Sequence, residues 1–147
     1  MELSVKEMVF AVFGGLGLFL FGITFMSNAL QEVAGERLKR ILEKGTKTPI
    51  RGVLVGTLVT AIIQSSSATT VLTVGLVNAQ LLTLRQAIGI IFGANIGTTM
   101  TAFLIGFNLQ DYALPIVAAG ALIMLFAGNE RYKLIGQALF GFGTLFF

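Results

Sequence analysis

A polar cluster interrupts an apolar part of this chain, in the segment AIIQSSSATTVL at residues 61–72. The side chains that can form hydrogen bonds there are Gln64, Ser65, Ser66, Ser67, Thr69 and Thr70. At roughly 100° per residue these positions point around the whole axis of a helix, so no rotation of a continuous helix hides them all from lipid. Hydroxyl groups can bond back to the carbonyl four residues earlier, so a cluster in mid-helix is one interpretation. The other is a break in the helix that gathers these groups into a binding site.

Such a break would bring together two helix ends of opposite polarity. An arm that ends near Gln64 presents carbonyl oxygens with partial negative charge, and an arm that begins near Ser67 presents N–H groups with partial positive charge. A cation therefore suits the first end and an anion suits the second. The side-chain oxygens of the cluster are neutral, which favours a weakly held monovalent cation such as sodium over a divalent ion.

A second group of polar residues lies in GIIFGANIGTTMT, within the next apolar run. Its glycines recur every four residues from Gly89 to Gly97, which is typical of close packing between helices. Its polar residues are Asn95, Thr98, Thr99 and Thr101, and the first three are candidates for a site. We expect a partly unwound helix here, with the glycines admitting the first polar segment and the polar side chains facing it.

The composition indicates an integral membrane protein. Of the 147 residues, 55% are hydrophobic and 12% are charged, whereas soluble domains carry about 25% charged residues. Most basic residues flank apolar runs, so the net charge of +3 does not indicate nucleic acid as a partner. The chain has no cysteine and no histidine, and runs 52–84 and 86–110, which Arg85 separates, contain no charged residue. A serine nucleophile there would lack its usual base, so we predict no enzyme and no catalytic residue.

Charged residues divide the chain into predicted membrane segments. They are a spanning helix at 8–31, an amphipathic surface helix at 32–45, a re-entrant hairpin at 52–84, spanning helices at 86–110 and 112–129, and the start of a further helix at 136–147. As one helix, run 52–84 would extend for about 50 Å, far beyond the ~30 Å of a hydrocarbon core. Split at QSSSATT, it gives two arms that enter the membrane and return.

The distribution of lysine and arginine orients these segments. Segment 32–51 is rich in both residues and should be cytoplasmic, which places the N-terminus outside. A re-entrant run 52–84 then keeps Arg85 inside, together with Arg131 and Lys133. The sequence therefore predicts a multi-pass protein of the cell membrane with one hairpin entering from the cytoplasmic side.

The motif QSSSATT followed by GANIGTT resembles the type II sodium–phosphate cotransporter family, as do GGLGLFLFGITFMSNALQ and TPIRGVLVGTLVTAIIQSSSATTV. The resemblance covers essentially the whole chain. It implies an all-α membrane transporter of two inverted repeats, each with a QSSS-type hairpin tip, in which sodium is the coupling ion and no further cofactor is needed. With helix polarity, it implies that phosphate binds at Ser65, Ser66, Ser67, Thr69 and Thr70. Sodium would bind at Gln64, Ser65, Asn95, Thr98 and Thr99.

The sequence departs from this family in having a single QSSS motif. GFGTLFF at 141–147 is similar to GLGLFLF at 15–21, so we expect 1–135 to be the first repeat and 136–147 the start of a second repeat that is cut short. A second repeat or a second copy of the chain would then complete the site. Two alternatives stay open: a membrane partner that does not itself transport, and a transporter of another oxyanion.

Overall fold

The computed structural model describes residues 4–107 and 109–146, and all the regular elements in these ranges are helices. They are α1 (Val5–Gly45), α2 (Pro49–Ile63), α3 (Ser66–Asn78), α4 (Leu84–Ile105), α5 (Gln110–Phe126) and α6 (Glu130–Thr144). Two of them, α1 and α4, are long and apolar enough to cross a membrane, and α2 and α5 are shorter apolar helices. The predicted all-helical class is confirmed, and the composition of these helices is compatible with a membrane protein.

The helices form two compact units, one comprising residues 4–29 and 109–146 and the other Leu30–Phe107. Helix α1 contributes to both because it continues without interruption from Val5 to Gly45. The sequence predicted a spanning helix at 8–31 and a separate surface helix at 32–45, and the structure joins them. The segment between them contains no proline, and Gly35 alone costs only about 1 kcal/mol in a helix interior, so nothing in the sequence ends the helix there.

The second unit is built around a core of leucine, isoleucine and valine side chains. The core residues are Leu38, Leu42, Val59, Ile63, Leu76, Leu82 and Ile90. Leu38 and Leu42 belong to the predicted amphipathic segment, so its apolar side packs against α2, α3 and α4. Ile41 stays exposed. The position of this segment at the membrane surface remains a prediction.

Glycines allow α2 and α4 to pack backbone against backbone. A Cβ atom on Gly97 would lie 2.7 Å from the carbonyl oxygen of Thr57, which is too close for any side chain. A Cβ atom on Gly89 would likewise lie too close to the backbone of Pro49, and one on Gly93 too close to the backbone of Val53. Because the contacted positions rise together along both helices, α2 and α4 run parallel and begin at the same end.

Helices α2 and α3 form a helical hairpin that returns the chain to the end where α2 begins. Gln86 Nε2 donates to the carbonyl oxygen of Thr46 at 2.7 Å, which ties the start of α4 to the loop before α2. Helix α3 must therefore lead back from the far end of α2. Helix α4 is continuous from Leu84 to Ile105, so the prediction of a partly unwound helix near Asn95 is wrong. Entry of this hairpin into a membrane from one side stays a prediction.

The first unit packs the start of α1 with α5 and α6, again through small residues. A Cβ atom on Gly141 would lie 2.6 Å from the carbonyl oxygen of Gly22, and Gly120 meets Gly136 and Phe140. The side chain of Asn129 caps α6, so this helix begins at Glu130, before the predicted segment 136–147. Residue 147 of that segment lies outside the described residues.

Candidate functional site

The break between α2 and α3 lies inside the QSSSATT motif. Helix α2 ends at Ile63 and α3 begins at Ser66, which leaves only Gln64 and Ser65 between them. Gln64 has φ 55° and ψ 29°, the left-handed region that non-glycine residues rarely adopt. Its N–H group still donates to the carbonyl oxygen of Thr60 at 2.7 Å. The interpretation of a continuous helix through this motif is therefore wrong. The break comprises only Gln64 and Ser65, whereas the predicted tip comprised the whole segment QSSSATT.

The three serines of the motif lie at the start of α3, with Ser65 just before the helix and Ser66 and Ser67 in its first turn. Ser65 is the N-cap, and its Oγ accepts the N–H of Ala68 at 3.2 Å. The first helical hydrogen bond of α3 joins the N–H of Thr69 to the carbonyl oxygen of Ser65 at 3.2 Å. The N–H groups of Ser66 and Ser67 precede that bond, and such groups give a helix N-terminus its attraction for anions.

Thr69 and Thr70 lie one turn further along, and their hydroxyls bond within the protein. Thr70 Oγ1 donates to the carbonyl oxygen of Ser66 at 2.8 Å. Thr69 Oγ1 lies 2.9 Å from Thr60 Oγ1 and donates to the carbonyl oxygen of Ser65 at 3.2 Å. Thr60 and Thr69 are both buried, so their contact joins the end of α2 to the start of α3. The predicted role of these threonines in phosphate binding remains a prediction.

The side chain of Gln64 connects the break to α4. Its Nε2 donates to the carbonyl oxygen of Ala61, and its Oε1 accepts a hydrogen bond from Thr101 Oγ1. Thr101 belongs to the second polar group of the sequence but is not among the predicted site residues. A signal for it exists, because Thr101 continues the spacing of four from Gly89, just as Thr60 and Gln64 continue it from Gly52 on α2.

The predicted sodium residues of α4 lie on its outer side. Asn95, Thr98 and Thr99 are exposed, whereas Gly97, which lies between them, faces α2. Thr98 Oγ1 donates to the carbonyl oxygen of Ala94 at 3.0 Å, and Thr99 Oγ1 donates to that of Ile96 at 2.7 Å. The structure therefore brings Gln64 to Thr101, while Asn95, Thr98 and Thr99 lie on the exposed side of α4.

An open cavity of about 510 Å³ lies beside the break. Its lining residues are Gln31, Gly35, Leu38, Ile63, Ser65, Ser67, Ala68, Val71 and Leu72. None of these side chains carries a formal charge, so the N-terminus of α3 is the positive element next to it. The volume exceeds ten times the ~30 Å³ that a water molecule occupies, so a hydrated ion fits.

The oxygen atoms around the break come from hydroxyl, carboxamide and carbonyl groups. In the described ranges no group of three or more His, Cys, Asp or Glu side chains is placed to hold a metal ion. Neutral oxygens bind hard cations without the fixed negative charge of carboxylates. The break thus combines an anion-binding helix N-terminus with neutral oxygen ligands.

Comparison with known proteins identifies related sequences over most of the chain. Residues 18–147 match a family described as Na+/Pi-cotransporter. The uncharacterised protein YqeW of Bacillus subtilis (strain 168) is 30% identical over 129 residues, which is 88% of this chain and 42% of that protein. The human sodium-dependent phosphate transport protein 2B is 38% identical over 112 residues, which is 68% of this chain and 16% of that protein.

A third relative, YjbB of Escherichia coli (strain K12), is described provisionally as an inorganic phosphate export protein. It is 28% identical over 130 residues, which is 88% of this chain and 24% of that protein. The chain thus spans less than half the length of each of these three relatives. No solved structure matches the chain significantly.

Proposed function

Because this chain belongs to the Na+/Pi-cotransporter family, whose members are membrane transporters, we propose that it carries part of the site for sodium-coupled transport of inorganic phosphate. The break between α2 and α3 is the observation that carries this proposal. It brings the carbonyl end of one helix and the N–H end of another to Gln64 and Ser65, within an apolar segment.

Phosphate would bind at the N-terminus of α3. The N–H groups of Ser66 and Ser67 and the serine hydroxyls can donate to its oxygens, while Thr69 and Thr70 shape the turn behind them. Ser65 and Ser67 also line the open cavity, which provides access. The same donors suit other oxyanions, so selectivity for phosphate rests on family membership.

Sodium would bind at the carbonyl end of α2, with Gln64 and Ser65 as its ligands. Asn95, Thr98 and Thr99 would contribute sodium ligands on the outer side of α4, at a position distinct from the break. A second repeat or a second copy of the chain packed on that side would bring further ligands. Bound sodium would offset the charge of phosphate in a site whose lining has no arginine.

The proposed arrangement is a multi-pass protein of the cell membrane with its N-terminus outside and segment 32–51 in the cytoplasm. The hairpin of α2 and α3 would enter from the cytoplasmic side and place its tip near the middle of the bilayer. Support comes from the shared starting end of α2 and α4, where Arg51 and Arg85 lie in the first helical turns.

Uptake of radiolabelled phosphate by proteoliposomes that contain only this chain tests the proposal. We expect uptake that depends on an inward sodium gradient, is lost in Ser66→Ala, and persists in Thr24→Ala, which removes an exposed hydroxyl from α1. Sulfate as a competitor separates phosphate from other oxyanions. Absence of uptake by folded, inserted protein would contradict a self-sufficient transporter and favour a chain that acts only with a partner.

A further inference from the structure

Four basic residues lie at the end of the second unit where α2 and α4 begin. Lys44 lies in the last turn of α1, Lys47 precedes α2, and Arg51 and Arg85 lie in the first turns of α2 and α4. We refer to these four residues as the basic rim. All four are exposed, and the bond from Gln86 to Thr46 holds the three chain segments together.

The acidic residues of the second unit do not neutralise this end. They are Glu32, Glu36 and Glu43, all on α1. Only Glu43 lies in the turn next to the rim, and its single negative charge does not neutralise the four cations. The N-termini of α2 and α4, capped by Thr48 and Thr83, add partial positive charge at the same end. The rim is therefore a net cationic surface.

Rows of exposed apolar side chains lead away from the rim along both helices. Ile50, Leu54 and Leu58 follow one another at a spacing of four on α2 and are 76%, 66% and 55% exposed. A second row with the same spacing lies on α4, where Leu84, Ile88 and Phe92 are 69%, 47% and 62% exposed. Cations at the head of apolar rows are typical of a membrane interface, where the charge reaches the headgroups and the rows face acyl chains.

We propose that the basic rim binds the phosphate headgroup of an anionic membrane phospholipid, with the acyl chains lying along these two rows. The adjoining apolar rows identify a lipid rather than free phosphate as the ligand. This site is separate from the proposed transport site, because Gln64 lies at the other end of α2, about 22 Å away along a helix of this length. It would also fix the depth at which the hairpin enters the membrane.

Native mass spectrometry of the 147-residue chain in detergent tests the proposal, with short-chain phosphatidylglycerol and phosphatidylcholine of identical acyl chains as probes. We expect preferential binding of phosphatidylglycerol. The variant Lys47→Gln/Arg51→Gln/Arg85→Gln should lose this preference, since attraction falls on the order of fivefold for each cation removed near an anionic headgroup. The charge-matched control Lys6→Gln/Arg37→Gln/Arg131→Gln removes three exposed cations elsewhere and should retain it.

Two further arms identify the ligand and exclude loss of folding. Lys47→Arg/Arg51→Lys/Arg85→Lys keeps every charge and should keep the preference, and circular dichroism verifies that each variant is folded. Equal binding of both lipids by the unchanged chain, or equal losses in the rim variant and its control, would overturn the proposal. Displacement of phosphatidylglycerol by millimolar inorganic phosphate would overturn it too, because the rim would then be a site for soluble anions. None of these outcomes depends on phosphate transport.

Discussion

The hydroxyl group of Thr101 donates a hydrogen bond to Oε1 of Gln64, across 37 residues of sequence. Both residues end rows with a spacing of four: Gly52, Gly56, Thr60 and Gln64 on α2, and Gly89, Gly93, Gly97 and Thr101 on α4. The rows face each other along two parallel helices, and small residues keep the backbones close. The packing that joins α2 to α4 therefore ends in a polar contact at the helix break.

Under the proposed function, Thr101→Val should raise the sodium concentration that phosphate uptake requires. Valine keeps the shape of threonine but cannot donate to Gln64, so the carboxamide loses one of its two anchors. A single hydrogen bond contributes about 0.5–1.5 kcal/mol, so we expect a modest loss of stability and a several-fold higher sodium requirement. The measurement is phosphate uptake as a function of sodium concentration, with thermal unfolding in parallel.

A double-mutant cycle with Gln64→Gly shows whether Thr101 acts through Gln64. Glycine accepts the left-handed backbone at position 64 and removes only the side chain. Thr101→Val should then add little to the effect of Gln64→Gly. Additive effects would mean that Thr101 has a role independent of this carboxamide.

Thr69→Val should cost more stability than Thr60→Val. The hydroxyl of Thr69 retains the carbonyl oxygen of Ser65 when Thr60 is replaced, whereas the hydroxyl of Thr60 loses the bond that it makes to Thr69. A buried polar group without a partner costs about 1–3 kcal/mol. Thermal unfolding in detergent, followed by circular dichroism, measures the difference.

The double variant Thr60→Val/Thr69→Val should be more stable than the sum of the single effects predicts, because no hydroxyl is then left unpaired. Equal costs for the two single variants would contradict this account. Such a result would mean that Thr60 finds another acceptor within α2.

Gly93→Ala should force α2 and α4 apart. A Cβ atom at position 93 would lie 2.7 Å from the backbone nitrogen of Thr57, and backbone cannot move aside without separating the helices. The matched control is Gly75→Ala on α3, where no atom lies within 4 Å of the added methyl group. Alanine favours a helix by about 1 kcal/mol over glycine, so the control should be neutral or stabilising. Unchanged unfolding of Gly93→Ala would contradict the close packing.

The sequence predicted the helical class, the break at QSSSATT and the packing role of the glycines, because each has a strong local signal. The dense polar cluster of QSSSATT favours a break, whereas the sparser threonines of α4 bond back to carbonyl oxygens within a continuous helix. Glycines at a spacing of four indicate close helix contact. The register between the helices has no such signal. The sequence could therefore mark Gly93 as a contact residue without identifying Val53 and Thr57 as its neighbours.

The contact between Thr101 and Gln64, which the sequence did not predict, depends on that register. Thr101 continues the spacing of four from Gly89, which Thr98 and Thr99 do not, but only the register of α4 against α2 determines that it meets Gln64. The boundary predicted near residue 32 relied on a change from apolar to charged residues. A helix can pass through such a change when its apolar side continues, as it does through Leu38 and Leu42 of α1.

Gln86→Glu should loosen the base of the hairpin while leaving the cap of α4 in place. The Oε1 atom of Gln86 accepts hydrogen bonds from the N–H and hydroxyl groups of Thr83, and a carboxylate can accept both. The Nε2 atom donates to the carbonyl oxygen of Thr46, and glutamate would place an oxygen against that carbonyl. We expect a loss of about 1–3 kcal/mol, because the carbonyl loses its donor and faces a negative charge. Gln86→Ala removes both functions and provides the comparison.

Hydrogen exchange locates the effect of Gln86→Glu. The amides at the start of α2, beginning with Arg51, should exchange faster, while that of Ala87 on α4 should stay protected because its bond to the carbonyl oxygen of Thr83 is retained. Gln86→Ala should expose both helix starts. If Gln86→Glu left exchange at Arg51 unchanged, the link to Thr46 would not hold the hairpin base. The shared end of α2 and α4 would then depend on the glycine contacts alone.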